Sequence, residues 1–285
     1  MSRRTNAVVA GAIALTLTFA GAASAGPIIL GGDDLTDHGS RSGAGANLEG
    51  WLYIEKAVSG VVAGQTRPGA ITHDIVALGS SDPGAFSSGN AGGAIRSVAD
   101  VLGFSVLYLD GDVAINAFFA DLASGAVNPK MLWIAGTGAA NDLDTTEGLA
   151  LTGNATGIRD FVNSGGGLMS HGSGDTAYGW LTSLLPGLNE LSGCNSAGAT
   201  LTPDGNAAFP GLSNSDIDSN AGPCHSHFTG DLGSLKILAL DGDGLSFIIG
   251  GGSGARIDPV PAPATLALLG IGIAALALAR RRRSA

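Results

Sequence analysis

"DFVNSGGGLMSHGSGD", residues 160–175, is the stretch on which the fold turns. A helical segment ends at Gly165-Gly166-Gly167, a short apolar strand follows in "GLMS" (167–170), and Ser170-His171-Gly172 forms the next turn. Helix, glycine turn, short strand and polar turn in direct succession are the working parts of a βαβ unit.

The same rhythm extends upstream. "PIIL" (27–30) reads as a strand closed by Gly31-Gly32. "NLEGWLYIEKAV" (47–58) spaces Leu48, Trp51, Leu52 and Glu55 as a helix does, with Asn47 as its N-cap. "DIVAL" (74–78) is a buried strand and "GGAIRSVADVL" (92–102) a helix. "FSVLYL" (104–109), "INAFFADLA" (115–123), "KMLWIAG" (130–136) and one long helix within 145–163 complete the series. Short strands alternating with helices predict an α/β fold, a doubly wound and mostly parallel flavodoxin-like sheet. After Tyr178-Gly179-Trp180 the pattern weakens, and 186–230 reads as a loop-rich excursion. "LKILALDGDGLSFIIGG" (235–251) resumes as a C-terminal hairpin around Gly-Asp-Gly. The globular domain is expected over 26–258.

In open α/β sheets ligands bind beyond the carboxyl ends of the strands. Those ends carry Asp33, Asp34 and His38; Ser80, Ser81 and Asp82; Asp110 and Asp112; Thr137, Asn141, Asp142 and Asp144; and Ser170, His171, Ser173 and Asp175. A polar rim for ligand is one reading. The other is that Gly, Asp, Asn and Ser simply make good turns.

The approach F-V-x-x-G-G-G-L into a histidine resembles the ThuA-like branch of the class I glutamine amidotransferase-like fold, loosely over 27–185. That resemblance implies a nucleophile at this turn, a cysteine in the amidotransferases. Ser170-His171 stands here instead, and the nearest cysteine, Cys194, lies in the later excursion. Ser170 as nucleophile would need a base held by a third group. His171 is its immediate neighbour, and His225 or His227 could serve with Asp175 as orienter. Gly-x-Ser-x-Gly is not matched, and His171 satisfying backbone groups at a buried turn is the plainer expectation.

No cofactor is expected; calcium is the alternative, because "LDGDV" (109–113), "SNSDIDSN" (213–220) and "LDGDGLS" (240–246) cluster oxygen ligands, although none completes a twelve-residue loop. Cys194 and Cys224 form a disulfide in an oxidising compartment, because Cys-His-Ser-His is too tight for familiar zinc spacings.

The two ends are transport signals. Arg3 and Arg4 precede an apolar run from Ala7 to Ala20, and Ala23-Ser24-Ala25 offers a signal-peptidase cut before Gly26, in the layout of a secretory signal peptide over 1–25. At the other end, Val260, Pro261 and Pro263 open a turn before 16 uncharged residues, 264–279. As a helix these would measure roughly 24 Å, slightly under a comfortable membrane span. Arg280, Arg281, Arg282 and Arg283 follow and would hold that end in the cytoplasm. A plain C-terminal anchor fits these parts. Their order also resembles the PEP-CTERM sorting signal of Gram-negative bacteria, a tail also labelled ice-binding protein C-terminal. That resemblance implies an exosortase-type membrane protease as partner, after the general secretion machinery and signal peptidase, with the inner membrane as a stage on the way to the surface. Ala262 replaces the glutamate of its Pro-Glu-Pro.

Six of the 14 basic residues lie in these ends and none of the 24 acidic ones, so residues 26–258 carry 8 against 24, a net charge of −16. Such a surface repels nucleic acid and anionic lipid. The expectations for function are an exported surface or matrix protein without catalytic activity, able to meet surface polysaccharide; an exported hydrolase or carbohydrate-active protein; or a calcium-steadied adhesion module.

Overall fold

The computed structural model describes residues 25–33, 50–84, 92–136, 143–172, 179–219 and 224–251. The expected signal peptide, the segment 264–279, the sorting residues from Val260 to Arg283, and rim residues Asp34, His38, Asn141, Asp142 and Asp175 lie outside them. Among the described residues no helix is long and apolar enough to cross a membrane.

Five strands run parallel: β1 (Ile28–Gly31), β2 (His73–Leu78), β3 (Val106–Leu109), β4 (Pro129–Ile134) and β5 (Gly167–His171). Their order is β3-β2-β4-β5-β1. In the flavodoxin-like order 2-1-3-4-5 the first strand lies second from one edge. Here β2 takes that place and β1 lies beyond β5. Antiparallel strands continue from β1: β10 (Ser246–Gly251), β9 (Lys236–Leu240) and β7 (Thr200–Leu201), so the sheet has eight strands. The expected C-terminal hairpin is β9–β10.

Helices cover both faces. On one face α1 (Trp51–Gly64) packs against α2 (Gly93–Leu102) and lies over β1, β5 and β4. On the other, α3 (Asp112–Ser124), α4 (Thr145–Gly153), α5 (Ala155–Asn163) and α6 (Gly179–Leu184) pack together. The long helix expected within 145–163 is two, divided at Asn154, which closes α4 and opens α5. Its amide donates to Asn116 Oδ1 and Ala150 O, both at 2.8 Å, and competes locally with a continuous helix. The cap of α1 is Gly50 in the left-handed region, not Asn47.

The glycine cluster of the opening stretch is explained by close approach. Gly165 has φ 101°, and a Cβ on Gly166 would lie 2.3 Å from the Phe161 ring. At Gly167 it would meet a Val61 methyl of α1 at 2.3 Å. Bare backbone here lets α1 and α5 close onto opposite faces of β5.

The excursion 186–230 is structured. β6 (Leu188–Ser192) pairs antiparallel with β8 (Ser226–Gly230) as a separate ribbon, and α7 (Pro203–Ala208) follows β7. Leu188 and Phe228 are buried beneath the ribbon. The Cys194–Cys224 disulfide closes its open end.

The disulfide spans 30 residues in sequence. A Cys194→Ser/Cys224→Ser double variant is expected to lose about 3–4 kcal/mol of unfolding free energy, read as a lower urea midpoint relative to the parent.

Candidate functional site

Successive strand residues point to opposite faces of a sheet, which separates Ser170 from its neighbour. His171 pairs in register with Gly31 of β1 and shares the α1 face with it, while Ser170 pairs with Leu30 and Ile134 and faces the other helix layer. Ser170 is buried and its hydroxyl has no hydrogen-bond partner among the described residues. The dyad suggested by adjacency in the chain is therefore divided by the sheet.

His171 has its own partners. The Trp133 indole N–H of β4 donates to His171 Nε2 at 2.8 Å. An indole nitrogen can only donate, so Nε2 presents its lone pair and the ring proton is on Nδ1. Nδ1 donates to Asp33 Oδ1. All three side chains are buried, and the indole and imidazole rings meet edge to face, with centroids 5.4 Å apart. Asp33 thus leaves the solvent rim on which the sequence placed it. Its carboxylate folds back over Gly31, where a Cβ would come within 1.9 Å of Oδ2 and 3.2 Å of the Tyr53 hydroxyl. Burial first, and the Asp33 charge second, hold the Tyr53 phenol well above its usual range.

This corner is roofed by the excursion. The N–H groups of His225 and Ser226 both donate to Gly32 O, at 2.8 and 2.9 Å. Gly172 N donates to Asp33 O at 2.8 Å, and the Ser226 hydroxyl reaches Glu190 Oε1 at 2.6 Å and Gly172 O at 3.1 Å. A Cβ on Gly172 would meet Glu190 Oε1 at 2.2 Å, so the ribbon rests directly on the strand end. Of the alternative bases, His225 is exposed and His227 bonds Gly193 O through Nδ1 at 2.7 Å.

The other described carboxylates of the rim are exposed or engaged in local structure. Asp82 is exposed and takes Arg96 at 3.2 Å and the Gly84 N–H at 2.8 Å. Asp110 and Asp112 are exposed, Asp112 in the first turn of α3. Asp144 caps α4 and forms a capping box with Glu147. Buried Glu147, which sequence reading passed over, bridges the Asp144 N–H at 2.8 Å and the Gly111 N–H at 2.7 Å. Burial raises its pKa, against those two donors. Its signal was present in Asp-x-x-Glu before an apolar run.

The acidic loops are likewise occupied. Asp218 accepts from Gly198 N at 2.7 Å, and Asp216 from Ser213 N at 2.7 Å. Asp241 accepts from the N–H groups of Asn195, Asp243 and Leu245 and so pins the β9–β10 turn to the cysteine loop. Among the described residues no group of three or more His, Cys, Asp or Glu could hold a metal ion.

Residues 259–283 match the PEP-CTERM protein-sorting motif, with Ala262 between its two prolines. No curated protein and no solved structure matches the chain. The matched motif is a signal of exported proteins sorted by exosortase, in keeping with delivery to the cell envelope or surface.

Two outcomes follow from the rim. Trp133→Phe keeps the ring packing but leaves His171 Nε2 buried without a donor, at an expected cost of about 1–3 kcal/mol in chemical denaturation. Asp144 is held below its usual 3.8 by the Glu147 N–H and then by the Thr146 hydroxyl. Its capping contribution is therefore complete above the unfolded carboxyl's range and fades as pH falls through the lowered folded value. Asp144→Ala should cost about 1 kcal/mol at neutral pH, and the gap between variant and parent midpoints should shrink in acid.

Proposed function

We propose that this chain is an exported protein of a Gram-negative bacterium, released to the cell surface or extracellular matrix by an exosortase-type protease, and that its globule is not a catalyst. The sorting motif at 259–283 carries the reading. The Cys194–Cys224 disulfide supports it, since such bonds persist in oxidising compartments. The absence of catalysis is supported by His171, whose two ring nitrogens are committed to Trp133 and Asp33.

The amino-terminal junction bears on the route. Ala25 is fully buried, and Gly26 N donates to Val162 O at 2.9 Å between α5 and β5. A Cβ on Gly26 would lie 2.1 Å from Gly166 O. A peptidase needs an extended, accessible strand, so a cut between Ala25 and Gly26 precedes folding. That order suits the general secretion machinery, which passes unfolded chains.

Intact mass and location of the protein from its own host test the proposal together. The expected product begins at Gly26, lacks roughly the last 25 residues, and is recovered from the surface or medium. Full-length chain confined to the inner membrane would return 264–279 to the role of plain anchor.

A further inference from the structure

The sheet reverses its winding between β2 and β4: β2 is followed by α2 on one face, and β4 by α4 on the other. Ligands of open α/β sheets bind beyond the carboxyl ends of the strands at such a reversal. Ser80, two residues beyond β2, is fully buried there, and its hydroxyl has no hydrogen-bond partner among the described residues. A buried hydroxyl without a partner has given up its hydrogen bonds to water and gained none in return.

Ser80 stands beside the amino end of α2. The N-cap is Gly92 at φ 76°, and no side chain caps the helix. A Cβ on Gly92 would lie 3.1 Å from Ser80 Oγ and 2.7 Å from the Tyr108 ring edge. Gly92, Gly93, Ala94 and Ile95 are all buried. First-turn N–H groups have no intrahelical acceptor and carry the positive end of the helix dipole. Among the described residues, the open donors of a helix start and an unpartnered hydroxyl thus lie side by side.

We infer that Ser80 and the amino end of α2 form a binding site for a carboxylate, an acceptor-only group that would satisfy the hydroxyl and the first-turn amides together. The charges nearby decide the class. Arg96, in the first turn of α2, is held by Asp82 at 3.2 Å and by Asp100 at 3.0 Å, so its charge is already balanced. Asp110 is exposed at the end of β3, and Glu147 is turned onto Gly111 and Asp144. In this acidic setting a singly charged carboxylate is favoured over a dianion such as phosphate. The inference does not rest on the export reading.

The test titrates the full chain with sodium acetate, with sodium chloride at matched ionic strength as control. Acetate should raise the melting midpoint saturably and shift the Gly93 and Ala94 amide resonances of the parent protein. Ser80→Ala should remain folded and bind acetate about tenfold more weakly. Equal effects of chloride, amide shifts confined to other regions, tighter binding of phosphate than of acetate, or undiminished binding by folded Ser80→Ala would each overturn the assignment. If Ser80→Ala does not fold, the parent's amide shifts decide alone. An oligouronate run alongside separates the sources: tighter binding than acetate assigns the carboxylate to an acidic polysaccharide, and equal binding to a free organic acid.

Discussion

One imidazole joins three strands at the carboxyl edge of the sheet. His171 ends β5, accepts from Trp133 of β4 on one side and donates to Asp33, just past β1, on the other. The tie holds β1 at the far side of β5, separated by two strands from β2, which follows it in the chain. A buried histidine between a donor-only indole and an acceptor-only carboxylate has one tautomer that satisfies both, so register and proton position are set together. The Tyr53 phenol and the ribbon on Gly32 and Gly172 complete a corner from which water is excluded.

That arrangement makes His171 part of the architecture that joins β5, β4 and the end of β1. A nucleophile at a strand end needs an exposed turn and a base with a free nitrogen. Here the turn is covered by Glu190, Ser226 and the backbone of His225, and the base is used on both nitrogens. The disulfide lies just beyond the paired residues Ser192 and Ser226, where the ribbon would otherwise fray. Covalent closure and backbone hydrogen bonds thus act on the same few residues.

Local signals in the sequence were good guides to local structure. Apolar runs such as "DIVAL" and "KMLWIAG" marked strands because buried parallel strands are apolar on both faces. The division at Asn154 was hidden because Asn154 interrupts the pattern for a single residue while the apolar spacing continues on either side. What could not be read was which distant segments meet. Asp33 and His171 lie 138 residues apart, and Trp133 and His171 38 apart, with nothing in spacing to mark them as partners. The place of β1 beside β5 is illegible for the same reason, since strand order follows from helix packing across the whole sheet. Ser170 and His171, neighbours in the chain, point to opposite faces of the sheet, as alternation along a strand requires.

The placement of the ends gives the molecule a direction. Ile28, which opens β1, pairs with Gly251, which closes β10, so the amino-terminal and carboxyl-terminal boundaries of the described sheet lie side by side. Both are at the amino edge of the parallel strands. The corner built on His171 and the buried Ser80 are at the carboxyl edge, removed by the length of a strand, about 15–20 Å for five or six residues. Any tether that continues from Gly251 therefore pulls on the amino edge and leaves the polar carboxyl rim facing away from its point of attachment. The pairing of the first and last strands thus places the boundary that leads towards the sorting motif and the proposed carboxylate site at opposite edges of the sheet.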